Sequence, residues 1–229
     1  MDRSSPSGPA RAEATASTPR QRRRKEPAAA AATELRDACI AAAREAIARH
    51  GIESLSLRDV ARRLGVSHQA PYKHYPSRDH LLAEVMRCSF QQFAQHLDAR
   101  QHFSDAQRDL ESLCRQYLGY AQQHPLEYRL MFGTPWPATA EHSDQLHKST
   151  HAFDILRQVL RRIHGGGAAQ DDRVDLDAMF VWSAMHGLVG VMNGDCLAKL
   201  DLQQALLHRL VQHVIDGVVR GLGTAKRHG

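Results

Sequence analysis

The chain has 229 residues, 42% hydrophobic and 24% charged, with few aromatics and a formal net charge of +5. That is an ordinary globular balance, long enough for one large or two modest domains, and it excludes a fibrous, collagen-like or wholly disordered chain. No run of eighteen apolar residues stands out and the first thirty residues lack the apolar stretch of a secretory signal, so a soluble, cytoplasmic protein is expected.

The charge is uneven. Residues 1–80 carry 15 Lys/Arg against 9 Asp/Glu, whereas residues 81–229 carry 15 against 16. A basic N-terminal third on a neutral body is the pattern of a nucleic-acid-facing module. The four cysteines, Cys39, Cys88, Cys114 and Cys196, are far apart and sit in apolar helical patterns. They suggest packing, not a disulfide framework or a zinc site.

In chain order, residues 1–32 are rich in Ser, Pro, Ala and Arg and read as a disordered arm, with the basic run RQRRRKEP at 20–27 suited to contacting phosphates. A first helix is expected from an N-cap at Thr33 to His50, with Ile40, Ala43 and Ile47 on one face and Gly51 as a left-handed C-terminal glycine. Ser54 or Ser56 then caps a second helix, LRDVARRL, whose inner face is Leu57, Val60, Ala61 and Leu64.

Gly65 closes that helix, and Ser67 opens a third, two turns long, HQAPYKHY. Pro71 lies early enough to remove only the first intrahelical bond, so the start tightens towards 3₁₀ geometry without breaking. A fourth helix spans Ser77 to Leu97, with Leu81, Leu82, Val85 and Phe90 inward. Further helices are expected at about 107–123, from Pro125, at 144–164, 172–196 and 201–221, separated by the loop GTPWPATA (133–140) and the break GGGAAQDD (165–172). No stretch reads as a strand. The fold class is all-α: a helix-turn-helix domain at 33–80, a helical regulatory and dimerisation domain at 81–222, and a tail at 223–229.

LRDVARRL, the turn GVS and HQAPYKHY together form a helix-turn-helix, with Val60, Ala61, Leu64, Val66 and Tyr72 bracing the pair. The stretch ARHGIESLSLRDVARRLGVSHQAPYKHYPSRDHLLAEV resembles the DNA-binding domain of the TetR family of transcriptional regulators. The resemblance rests on Gly51, L-S-L-R-D-V-A, L-G-V-S, the pair Tyr72 and Tyr75, and P-S-R-D-H-L-L, over about residues 33–97. W-S-A-M-H-G-L (182–188) resembles the Trp-His-Gly signature of one C-terminal-domain subgroup.

What the resemblance implies is a double-stranded DNA operator as partner, read by a homodimer and released by a small-molecule effector. Arg58 then falls where a guanine edge is read, and Gln69 suits adenine. His68 and Lys73 lie on the outer side of the third helix, Ser67 at its start. Tyr72, His74 and Arg78 match phosphate-contacting positions, and Tyr75 reads as core. The last two helices, LDAMFVWSAMHGLVGVM and LLHRLVQHVIDGVVRGL, supply apolar surface for the dimer bundle. Candidates to line an effector pocket are Tyr117, Tyr128, Phe132, Trp136, Phe153, Trp182 and His186.

Other functions find less support. His147 and His151 stand at i,i+4 near His142, Asp144 and Asp154, yet no further ligand completes a diagnostic metal spacing among the 15 histidines. No HExxH, GxSxG, P-loop or GxGxxG pattern sits on suitable structure, so neither an enzyme nor a resident cofactor is expected.

Overall fold

A computed structural model describes residues 25–137, 143–165, 171–194, 199–200 and 204–224. Among them the chain is helical, with no strand. The helices are α1 (Lys25–His50), α2 (Leu57–Leu64), α3 (Arg78–Asp98), α4 (Ala106–Gln123), α5 (Pro125–Phe132), α6 (Ser143–His164), α7 (Asp171–Asn193) and α8 (Gln204–Thr224). Short 3₁₀ turns lie at Ile52–Ser54 and Pro71–Lys73.

Two expected ends move. α1 starts at Lys25, eight residues ahead of Thr33, so Thr33 is interior and not a cap. The five-alanine run at 28–32 has the highest intrinsic helix propensity available, and Pro27 sits in the first turn, where a missing N–H removes no bond. The expected disorder is therefore corrected for residues 25–32, which are helical, and residues 1–24 lie outside the described residues. At the other end α8 runs to Thr224, two residues into the expected tail.

The side chains pack into two cores. One joins α1, α2 and the first half of α3 through Ala43, Ile47, Leu57, Val60, Leu81 and Val85. The other is built by Phe90, Phe93 and Leu97 of α3 with α4 to α8. α3 crosses between them as one helix, its start fixed by the Ser77 hydroxyl accepting from the His80 N–H at 3.4 Å.

α5 is the second bridge. Leu130 packs in the first core, whereas Tyr128 and Met131 pack in the second. Half-buried Arg44 of α1 pairs with Glu127 of α5, and Glu84 of α3 holds Arg36 at 2.6 Å and Arg87 at 2.8 Å. α7 is long and apolar enough to cross a membrane by length and composition, but Val174, Ala178, Val181 and Met185 put one of its faces into the second core.

A buried carboxylate ties the α3–α4 connection down. Asp109, fully buried, accepts from the Phe103 N–H at 3.1 Å and from Arg162 of α6 at 2.5 Å, with Arg100 at 3.5 Å. Arg162 also donates to the Phe103 and Ser104 carbonyls, at 2.7 and 2.9 Å. Removing one partner of such a set strands buried charge. Asp109→Ala is expected to lower unfolding stability by about 3–5 kcal/mol, read as a lower denaturant midpoint at unchanged slope.

Candidate nucleic-acid interface and internal cavity

α2 buries Leu57, Val60 and Ala61, which turns Arg58 to solvent on the opposite face. Gly65 ends the helix at φ 66°, ψ 25°, and Val66 N–H reaches back to the Ala61 carbonyl at 3.1 Å, a 6→1 closure that requires the left-handed glycine. This is the turn the sequence implies.

Gly51 differs from its expected conformation. Its φ is 81° but its ψ is 167°, an extended mirror-image region open essentially to glycine alone, not the left-handed helical one. Ser56 occupies the N-cap position of α2 without a side-chain bond, and the Ser54 hydroxyl donates instead to the Gly51 carbonyl at 2.7 Å.

The element after the turn is not a two-turn α-helix. Ala70 N–H bonds the Ser67 carbonyl, Lys73 the Ala70 carbonyl and His74 the Pro71 carbonyl, all i→i−3 with 3₁₀ geometry at Pro71–Lys73, and a single i→i−4 bond from Tyr75 N–H to the Pro71 carbonyl closes the element. Pro71 denies the chain its 71→67 bond and is itself buried, which anchors the tight coil against α2. Ser67 makes no capping bond to this element, whose N-cap position is Ala70.

The tight coil points a row of side chains outward. Arg58, His68, Gln69 and Tyr72 line one shallow polar recess, with Ser67 and Lys73 exposed beside it. None of the Arg58, His68, Gln69, Tyr72 or Lys73 side chains has a hydrogen-bond or ion-pair partner among the described residues. Tyr72 is 41% exposed, so its part in bracing the two helices is smaller than expected. Tyr75 is the packed member of the pair: its hydroxyl donates to the Arg36 carbonyl at 3.1 Å, and burial pushes its phenol up.

His74 is half-buried beside Tyr75. Arg78 is engaged within the protein: it donates to the Ile52 carbonyl at 2.8 Å and pairs with Asp79 at 3.1 Å. It stitches the start of α3 to the turn after α1, a role the resemblance did not imply.

The second core contains a cavity of about 380 Å³. Five of the seven expected residues line it: Tyr117, Phe132, Trp136, Phe153 and Trp182. Tyr128 and His186 lie behind the wall, bordering a separate recess with Arg129 and Asn193. The Tyr128 hydroxyl stands 2.8 Å from the Tyr117 hydroxyl and 2.6 Å from His186 Nδ1. The Tyr117 hydroxyl is also 3.4 Å from His186 Nδ1, so the two phenols and the imidazole form one hydrogen-bonded cluster. Burial pushes the Tyr117 phenol up to about 12 and holds His186 below its ordinary range.

Sequence reasoning missed Phe93, Met131, Met179 and Met185 in the wall. Their signal was the inward stripe of α3, α5 and α7, which does not distinguish a cavity wall from solid core. Of the expected metal candidates, His142 and the His147 and Asp144 side chains lie outside the described residues. His151 pairs with Asp98 at 3.0 Å and Asp154 with Arg157 at 3.6 Å. No group of three potential metal ligands occurs among the described residues. Cys39 and Cys114 are buried, Cys88 is half-buried, and Cys196 lies outside the described residues.

An outward helix-turn-helix edge on an all-helical body with its own cavity defines the class of helix-turn-helix regulators. Sequence profiles agree: bacterial regulatory proteins of the tetR family match residues 40–85, and the Tetracyclin repressor-like C-terminal domain matches residues 110–214. The chain belongs to the TetR family of DNA-binding transcriptional regulators. The HTH-type transcriptional regulator Mb1846 of Mycobacterium bovis is 32% identical over 91 residues, 38% of this chain and 39% of that protein. The match thus spans about two fifths of that relative's length.

Among solved structures, a protein of unknown function from Rhodococcus sp. RHA1 shares the fold at a TM-score of 0.66 and 24% identity, over 82% of this chain and 95% of that one. A candidate regulatory protein, SCO4313, gives 0.62 and 25%, over 90% and 98%.

The histidines give a testable pH dependence. Burial lowers the affinity of His186 and His96 for a proton, with His124 adding to the effect at His96. As pH falls below the ordinary value of 6.5, the unfolded chain takes up these protons before the folded one does. Their stabilising contribution is therefore full above that pH and lost on acidification. The midpoint of thermal unfolding should fall more steeply from about pH 7 to about pH 5 in the parent than in a His96→Phe/His186→Phe variant.

Proposed function

We propose that this protein is a cytoplasmic, homodimeric repressor that holds a palindromic operator through Arg58 and the edge at Ser67–Lys73, and releases it when a small molecule enters the cavity. The observation that carries the reading is the register of α3. Leu81, Leu82, Val85 and Met86 hold the DNA-facing core, and Phe90, Phe93 and Leu97 wall the cavity. A ligand that spreads the wall tilts the same rigid helix that carries the helix-turn-helix. α5 reinforces the link, with Leu130 in one core and Met131 in the wall of the cavity.

On the DNA side, Arg58 and Gln69 select bases, while Lys73, Tyr72 and His74 position the backbone. Arg78 fixes the frame from which they act. The domain division at about residue 80 falls inside α3, so the two parts move as bodies joined by a continuous helix.

Dimerisation is supported by the outer face of α7. Leu176 is 72% and Phe180 50% exposed, and the stripe continues through Ser183 and Gly187. A Cβ added at Gly187 or Gly190, or at Gly217 of α8, would meet nothing within 4 Å. Large apolar groups followed by small ones at helical spacing suit close packing of α7 and α8 against their copies in a two-fold related subunit.

The test is a salt series of binding titrations against the DNA flanking the protein's own gene. The expected result is tight, saturable binding, weakened roughly 10–100-fold by Arg58→Ala or Gln69→Ala and less by Tyr72→Phe. Sequence-indifferent binding with a steep salt slope would sink the operator reading. Separately, Phe180→Glu is expected to give a monomer by sedimentation, with helicity kept and operator affinity lost. A dimer that survives it unchanged would place the interface elsewhere.

A further inference from the structure

We propose that the cavity takes an uncharged, ring-based hydrophobic molecule and discriminates against ionised counterparts of the same shape. This rests on the reading of the cavity as the effector site and narrows it to a chemical class.

Among the described residues that line the cavity there is no Lys, Arg, His, Asp or Glu. A carboxylate, sulfonate or ammonium entering it would shed water and meet no opposite charge. A neutral ring sheds nothing it needs.

A hydrogen-bonded cluster lies behind the wall. Tyr117, Tyr128 and His186 hydrogen-bond one another, at 2.8 Å between the hydroxyls and 2.6 Å from the Tyr128 hydroxyl to the imidazole. A polar ligand group that sought the Tyr117 hydroxyl would have to break that cluster and leave one of its members unpaired. The Tyr117 phenol therefore presents mainly carbon to the cavity.

Ring geometry favours flat ligands over flexible acyl chains. Phe90 and Phe93 meet Phe132 at 82° and 85°, and Phe153 meets Trp182 at 75°. Edge-on pairs of this kind leave ring faces and edges that a further ring can extend, with a contribution beyond its buried area. Met131, Met179 and Met185 add a deformable lining, which accommodates a class of shapes instead of one. Trp136 and Met179 are both part of the wall and exposed, at 42% and 46%, and so mark the way in from solvent.

The test uses two dyes that share a ring system. N-phenyl-1-naphthylamine is uncharged, and 8-anilinonaphthalene-1-sulfonate adds one negative charge; ethidium supplies a fixed positive one. Each is titrated fluorimetrically into the full chain without DNA. The neutral dye is expected to bind saturably at one site per chain, and both ions at least about tenfold more weakly. Ala152→Phe, which fills the cavity, and Met179→Trp, which blocks its exposed rim without touching the buried core, should each weaken the neutral dye by about tenfold or more. Ala152→Ser should not.

Absence of saturable binding by the neutral dye, equal or tighter binding of either ion, or indifference to both filling variants would overturn the proposal. The same dye is then added to the operator complex. Selective binding that leaves operator affinity unchanged would uphold the ligand class and remove the effector role, so the two failures are told apart.

Discussion

The continuity of α3 is the constraint on which the rest of the structure depends. Twenty-one residues run without a break from the Ser77 cap to Asp98, and successive turns of the helix serve two separate cores. A helix cannot stretch or shorten without giving up backbone hydrogen bonds, so displacement of its cavity-side half has to appear at the other end as a tilt. The Glu84 carboxylate, held by Arg36 and Arg87, and the Arg44–Glu127 pair sit where that tilt would be resisted. They are partly buried, charge-assisted contacts, and stronger than pairs fully exposed to solvent.

The fold was legible because its signals were local and mutually consistent. Periodic apolar residues placed α2 through α8 within a few residues of their ends, and Ser77 and Gly65 act as cap and stop as their chemistry suggests. What escaped was decided by competition between neighbours. The alanine run carried α1 back past Thr33 because propensity outweighed the capping signal. Gly51 kept a positive φ but took an extended ψ, since the 3₁₀ turn that follows sets its direction. The 3₁₀ tightening expected at Pro71 went further than the start of the element, leaving a short 3₁₀ turn at Pro71–Lys73 in place of the two-turn helix.

The candidate sites were legible to different depths. Arg58, His68, Gln69 and Tyr72, placed on the helix-turn-helix by the family resemblance, border one recess. Arg78 did not join them because its reach to the Ile52 carbonyl depends on a turn 26 residues away. In the second core the aromatic residues were found, but whether a ring faces a void or a neighbour depends on packing among five helices. That is why Tyr128 and His186 lie behind the wall and Met131, Met179 and Met185 are in it.

The 3₁₀ edge has a consequence for how such a protein can change over generations. Its shape is held by buried Pro71, the packed Tyr75 and a handful of backbone bonds, while His68, Gln69 and Lys73 face solvent and hold nothing else in place. Surface substitutions of that kind typically alter stability by less than about 0.5 kcal/mol. These outward side chains are thus uncoupled from the scaffold that presents them. If they face DNA as proposed, duplicated copies of the gene can drift towards new target sequences while the fold and the cavity stay under separate selection.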